Sequence, residues 1–166
     1  IEDFRDQARR FGADCQYGFV TDIDFDSHPY KLTVDEKTEL FAKAIIISTG
    51  ASAKWLNLPS ETRLKGKGVS ACATCDGAFF REQHVAVVGG GDTAMEEATF
   101  LTKFASKVSV IHRRDELRAS KAMQNRAFEN PKIDFVWDSE VVGVHGDPVM
   151  TGLTVRNLKT GEETLM

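Results

Sequence analysis

What this sequence has little of already narrows what it can be. Long apolar runs are missing. Near the middle of the first half the longest stretch without a polar residue is Ala44 to Ile47, whereas a membrane-spanning helix needs roughly 20 apolar residues, so the expectation is a protein outside the membrane. A surplus of positive charge is missing too. With 21 Lys and Arg against 25 Asp and Glu, and a formal net charge of -4, the chain carries no overall footprint for nucleic acid. Cysteine is scarce: two of the three form one tight pair and Cys15 lies far upstream, which rules out a secreted scaffold stapled by several bridges and fits a reducing compartment, the cytoplasm. The four histidines show no metal-ligand spacing. The first residues given do not follow the basic, apolar and small-residue order of a leader, so no secretory signal is expected. The chain opens on Ile1 and closes just after the hairpin-like Lys159-Thr160-Gly161-Glu162, so an internal segment of a longer protein is expected.

What is present is enough for a core. At 166 residues, 42% hydrophobic and 28% charged, the chain fits one domain or pieces of two. Ile1, Phe4, Ala8 and Phe11 recur at helical spacing, with Gly12 where a capping glycine belongs. Phe19, Thr21, Ile23 and Phe25 alternate at period two, as do Tyr30, Leu32 and Val34, and the polar stretch from Asp35 leads into a further strand, giving an antiparallel meander. Residues 44–48 are apolar on both faces and read as a buried strand ending at Thr49-Gly50. Residues 51–68, with Trp55, Pro59 and two glycines, read as a linker. Beyond it the pattern alternates: a strand over 84–88, a helix carrying Ala94, Ala98, Leu101 and Ala105 on one face, a strand through Val108 and Ile111, and a helix over 120–128 stopped before Pro131. That order implies a parallel sheet with right-handed crossovers. Residues 133–136, 141–144 and 153–158 are expected to add antiparallel strands.

Three motifs carry chemistry. The first is Val85-Ala86-Val87-Val88-Gly89-Gly90-Gly91-Asp92-Thr93-Ala94, a strand followed by GxGxxA at the opening of a helix. Gly89 allows the tight turn, Gly91 lets a pyrophosphate approach the backbone, and Ala94 lets helix and strand pack closely. The free N–H groups of the helix start then face the phosphates. The second motif is the end of the next strand, His112-Arg113-Arg114. An NAD-binding fold places an acidic residue there for the ribose hydroxyl, but here the place is basic. Lys103, Lys107, Arg113, Arg114, Arg118, Lys121 and Arg126 stand against Asp115 and Glu116. Guanidinium groups grip phosphate in pairs of hydrogen bonds, so the arrangement points to a 2′-phosphate and to NADPH. A solvated basic helix face is the competing account for Lys103, Lys121 and Arg126, and a plain surface position at a strand end competes for His112.

The third motif is Cys72-Ala73-Thr74-Cys75-Asp76-Gly77. Two intervening residues bring the sulfurs within disulfide reach, and the small ring opens readily to an attacking thiolate. Asp76 is the adjacent acid or base for the proton. Zinc competes for any such pair, but structural sites take four ligands, and only the scattered Cys15 and His84 remain to offer. Cys15 reads as a buried apolar residue in a strand. Hydride chemistry and thiol chemistry in one chain call for an intermediary, and a flavin is the usual one.

Taken together, Cys72-Ala-Thr-Cys-Asp-Gly, Gly89-Gly-Gly-Asp-Thr-Ala-Met-Glu-Glu-Ala, His112-Arg-Arg-Asp and Arg118-Ala-Ser closely resemble the low-molecular-weight thioredoxin reductases, over essentially the whole chain. The resemblance implies an α/β fold. Residues 55–166 would be a Rossmann-like NADPH-binding domain, a parallel sheet plus antiparallel strands, with the redox CxxC and a truncated C-terminus. Residues 1–54 would be part of a FAD-binding domain of the two-dinucleotide-binding-domain flavoprotein type. It also implies that Cys72 and Cys75 are the redox-active disulfide served by Asp76. Gly90, Gly91, Asp92, Thr93, Ala94, His112, Arg113, Arg114 and Arg118 would meet NADPH, and Val20, Thr49 and Gly50 would approach FAD. Electrons would run from NADPH through FAD and the disulfide to thioredoxin, in a full-length homodimer whose domains rotate about two linkers. The family's N-terminal glycine fingerprint and C-terminal Gly-Asp segment, which hold the flavin, lie outside these residues. Two alternatives stand beside this one: a flavoprotein reductase feeding a peroxiredoxin, and a non-catalytic NADPH-binding module.

Overall fold

The structure, a computed structural model, describes residues 2–166. It divides into two compact units, Ile1–Ala51 and Ser52–Met166, and each is built on its own terms.

In the first unit α1 (Glu2–Arg10) begins with Glu2 and Asp3 and ends with Arg9 and Arg10, charges that suit the helix dipole. Gly12, at φ +87°, donates its N–H to the Arg9 carbonyl at 2.9 Å and ends the helix as the spacing predicts. The apolar stripe, however, covers nothing, and Phe4 and Phe11 are exposed. The meander forms as expected from β1 (Val20–Asp24), β2 (Tyr30–Val34) and β3 (Thr38–Ala42), paired antiparallel in that order. Asp35 and Glu36 turn the second hairpin with left-handed backbones, and the Asp35 carboxylate accepts the Phe19 N–H at 2.9 Å.

Two expectations for this unit fail. Residues 44–48 form no strand, and Ile46 and Ile47 are exposed. A strand is made by its neighbours' hydrogen bonds, and among the described residues none pairs with this segment. Cys15 likewise lies outside any strand and is half-buried.

The second unit is layered about a parallel sheet of β4 (His84–Val88), β5 (Lys107–Ile111) and β6 (Ile133–Val136), in that order. The parallel direction of β6 corrects the antiparallel expectation, because a helical crossover returns the chain to the same end of the sheet. The crossovers are α4 (Asp92–Leu101) and α5 (Lys121–Phe128), which cover one face. There Val87, Val108 and Val110 pack with Met95, Ala98, Leu101 and Ala127. Met95, fully buried, was not among the residues the apolar spacing picked out.

The opposite face, through Ala86, Ile111 and Val136, packs on an antiparallel sheet of β7 (Ser139–Gly146), β8 (Met150–Asn157) and β9 (Glu163–Leu165). The supposed linker contributes a helix to that layer, α2 (Pro59–Leu64), with Pro at its start and a fully buried Leu64. Its Glu61 is also buried and accepts the N–H groups of Leu56 and Asn57, each at 2.9 Å. These bonds satisfy the polar atoms of the buried side chain. Among the described residues no helix is long and apolar enough to cross a membrane.

Candidate functional site

The glycine turn between β4 and α4 is built as its sequence implies. Gly89 has φ +148°, and a Cβ placed on it would stand 3.0 Å from the Cβ of Ala94, so turn and helix meet closely. At Gly90 the neighbour is unexpected. A Cβ there would lie 2.4 to 2.5 Å from three atoms of the His112 ring, so the imidazole occupies the space a side chain would take. Gly91 faces open space on the same test, and it caps α4 without any side-chain hydrogen bond. The first N–H groups of the helix are therefore free to meet an anion.

His112 follows β5 and is buried, not a surface residue. Its Nε2 has no hydrogen-bond partner among the described residues. Burial pushes its pKa down, a hydrogen bond to the Glu116 backbone opposes this, and the charges of Arg114, Arg113 and Arg118 add to the lowering. The ring is thus a neutral wedge beside three cations.

The basic residues separate in the structure. Lys107 pairs with Asp134 at 3.0 Å, and the Lys103 ammonium lies 4.9 Å from the centre of the Phe100 ring. Arg113, Arg114 and Arg118 are exposed, and among the described residues they form no ion pair. Arg118 is nevertheless drawn to the glycine turn through its backbone, since its N–H and that of Ala119 donate to the Gly90 carbonyl at 2.7 and 3.1 Å. Asp92, grouped by its motif with the nucleotide residues, gives its carboxylate to the Ser120 N–H at 2.8 Å. Sequence spacing did not reveal Ser120 as part of this arrangement. An open helix start, an uncapped glycine turn and three free guanidiniums fit a dinucleotide carrying an extra phosphate.

Cys72 and Cys75 are joined in a disulfide, with Cα atoms 5.3 Å apart. Cys72 precedes the short helix α3 (Ala73–Asp76), and its Sγ accepts the Cys75 N–H at 3.2 Å. Ser70 accepts the Cys72 N–H at 3.1 Å, and Thr74 Oγ1 lies 3.5 Å from Cys72 Sγ. Between the cysteines, Ala73 is buried in the core beside α4, and its N–H reaches Glu97 of that helix at 3.4 Å. Cys75 is exposed, while Cys72 and Asp76 are half-buried. The helix that follows the glycine turn thereby also backs the short helix on which the disulfide sits.

The residues assigned to a flavin behave differently. In the first unit Val20 sits on β1 and is half exposed, and Thr49 and Gly50 lie exposed in an irregular segment. No buried, unpartnered polar atom of this unit waits for a ligand among the described residues. These three residues do not by themselves make a flavin cradle. No group of three metal-binding side chains occurs among the described residues either.

Known proteins resemble this chain. A thioredoxin reductase of Streptomyces coelicolor is 55% identical over 162 residues, which are 98% of this chain and 50% of that protein. A bifunctional thioredoxin reductase/thioredoxin of Mycobacterium leprae is 50% identical over 167 residues, all of this chain and 36% of that protein. The solved structure of thioredoxin reductase from Giardia duodenalis superposes with a TM-score of 0.81 at 41% identity, over 99% of this chain and 54% of the other. The chain thus spans about half the length of the relatives it matches. A glycine turn that opens onto a helix start, a disulfide on the short helix packed against it and a family match running from residue 6 to residue 165 lead to one assignment: the chain belongs to the pyridine nucleotide-disulphide oxidoreductases.

Proposed function

We propose that this protein works as an NADPH-dependent thioredoxin-disulfide reductase, passing two electrons from NADPH by way of FAD to Cys72–Cys75 and on to the disulfide of thioredoxin. The observation that carries this reading is the disulfide on α3, which packs through Ala73 against α4, the helix whose start adjoins the nucleotide turn. Gly90, Gly91, Thr93 and Ala94 would line the pyrophosphate. Arg113, Arg114 and Arg118 would take the 2′-phosphate, and His112 would fix the turn from behind. When bound, the nicotinamide supplies a hydride.

The chain's own share is thiol chemistry. Reduction of the Cys72–Cys75 bond takes two electrons and two protons. The resulting dithiol attacks the partner's disulfide as a thiolate, forms a mixed disulfide, and closes again as the second sulfur displaces the partner's thiol. Asp76 holds or returns the proton at the leaving sulfur. The Cys75 N–H already points at Cys72 Sγ, where it would stabilise a thiolate.

The relatives are named as thioredoxin reductases, so the peroxiredoxin alternative gains no support. The non-catalytic NADPH-binding module is the second reading, and flavin binding separates it from the enzyme. The same reading sets the protein in the cytoplasm and makes the full-length enzyme a homodimer.

The test is turnover of thioredoxin by the FAD-loaded protein and by its Cys72→Ser and Cys75→Ser variants. Each single substitution should abolish NADPH-dependent reduction of thioredoxin while leaving nucleotide binding within about twofold, since the sulfurs do not hold the nucleotide. Retained turnover in either variant would show that the pair is structural. A protein that binds NADPH and never acquires flavin absorbance would favour the binding module.

A further inference from the structure

Asp92 is the first residue of α4 and directly follows the glycine turn, yet its carboxylate serves the chain 28 residues downstream by accepting the Ser120 N–H at 2.8 Å. The two preceding amides, of Arg118 and Ala119, both donate to the Gly90 carbonyl. Three consecutive N–H groups, 118 to 120, therefore grip residues 90 and 92. On its other side the same strap is held by the Gln124 side chain, which donates to the Ala119 carbonyl at 2.8 Å and the Leu117 carbonyl at 3.4 Å. Ala119 is buried in the core. Of the bonds that join strap and turn, only the one from Ser120 ends on a side chain. Ser120 then starts α5, so the bond also ties the openings of the two helices together.

We propose that Asp92 is a positioning residue for recognition of the 2′-phosphate. Through Ser120 it holds the Arg118 strap against the glycine turn, so discrimination between phosphorylated and unphosphorylated nucleotides depends on a carboxylate that touches neither. The proposal rests on the reading of Arg118 as a 2′-phosphate contact. An acidic side chain next to a phosphate site is otherwise unfavourable, and the hydrogen bond from the Ser120 N–H gives this carboxylate a structural reason to be there.

Calorimetric titration of the protein with adenosine 2′,5′-bisphosphate and with 5′-AMP tests it. Asp92→Ala should weaken the bisphosphate about tenfold, the scale of one hydrogen bond to a charged group, and change 5′-AMP by less than about twofold. Asp92→Asn keeps an acceptor oxygen and should restore most of the difference. Added to Arg118→Ala, Asp92→Ala should cause little further loss, because both act on one contact. Ser120→Pro removes the donor instead of the acceptor, at a backbone of φ -60° and ψ 151° that suits proline. It should repeat the Asp92→Ala result, and it carries the test if Asp92→Ala fails to fold. Equal losses for both ligands, or full additivity with Arg118→Ala, would overturn the role of Asp92. Unchanged discrimination in Asp92→Ala beside a clear loss in Arg118→Ala would do the same and leave the Arg118 reading standing. Unchanged discrimination in Arg118→Ala overturns that reading and the proposal with it.

Discussion

Gly90 and Gly91 are neighbours with the same side chain and opposite reasons for it. At Gly90 a Cβ would collide with the His112 ring, which is itself buried and flanked by Trp137. Gly90→Ala should therefore destabilise the second unit by about 2 kcal/mol, the usual scale of overpacking. Adding His112→Ala should recover most of that, because it empties the space the methyl needs. At Gly91 nothing lies within 4 Å and φ is -98°, so Gly91→Ala should leave stability within about 0.5 kcal/mol. It should still weaken nucleotide binding, because a methyl would then stand where a phosphate approaches the backbone. Urea unfolding and nucleotide titration of the three variants check both halves. A Gly90→Ala protein as stable as the parent would mean that the ring gives way freely. The motif singled out Gly91, and Gly90 was named only through the family resemblance. Neither showed which one guards the fold, because the ring that decides it comes from 22 residues later in the chain.

The central sheet carries a polar ladder across its three strands. His84 Nε2 lies 2.7 Å from Ser109 Oγ, and the Ser109 hydroxyl donates to Asp134 at 2.6 Å, with Lys107 on the other carboxylate oxygen. Ser109 is fully buried. Burial alone would raise the Asp134 pKa, but the hydroxyl and the ammonium outweigh it and hold the carboxyl below its ordinary 3.8. A lowered carboxylate contributes stability above its unfolded value and loses it as pH falls through the folded one. Ser109→Ala should cost about 1 kcal/mol at neutral pH, and the gap to the parent should narrow below pH 3.8 as Asp134 is protonated in both proteins. Denaturant unfolding at several pH values measures this; a gap that stays constant down to pH 2 would mean the hydroxyl does not act through the carboxylate. None of the ladder was legible in the sequence, since each of its two links joins residues 25 apart and exists only in the parallel register. The helices and strands around it were legible because apolar periodicity needs no partner to be seen. Strand direction in β6 and the helix α2 were not, the first because direction is set by the crossover, the second because six residues give too few turns for a pattern.

The two units of the molecule differ in what holds them. Between Glu2 and Ala51 no described residue is buried, and Phe4, Phe19 and Ile46 are at least 78% exposed. The second unit has two cores, one on each face of its parallel sheet, with Met95, Val108, Val110 and Ile111 fully buried. Burial of apolar surface is the main term set against chain entropy, and a meander with no fully buried side chain is marginal in water. In the first unit α1 and the meander were legible, whereas residues 44–48 and Cys15 were misread as strand, because periodicity records only that a face is apolar and not whether anything pairs with it or covers it. This difference should be visible in amide exchange. Protection across β1 to β3 should fall well below that of β4 and β5, whose amides open only with the global unfolding of the second unit. Within the second unit β9, a short exposed edge strand, should exchange ahead of β5. Segment-resolved hydrogen exchange at neutral pH gives the comparison directly. Equal protection of residues 20–42 and 84–111 would mean that the first unit draws stability from something other than burial within its own residues, and the account of two separately held units would fail.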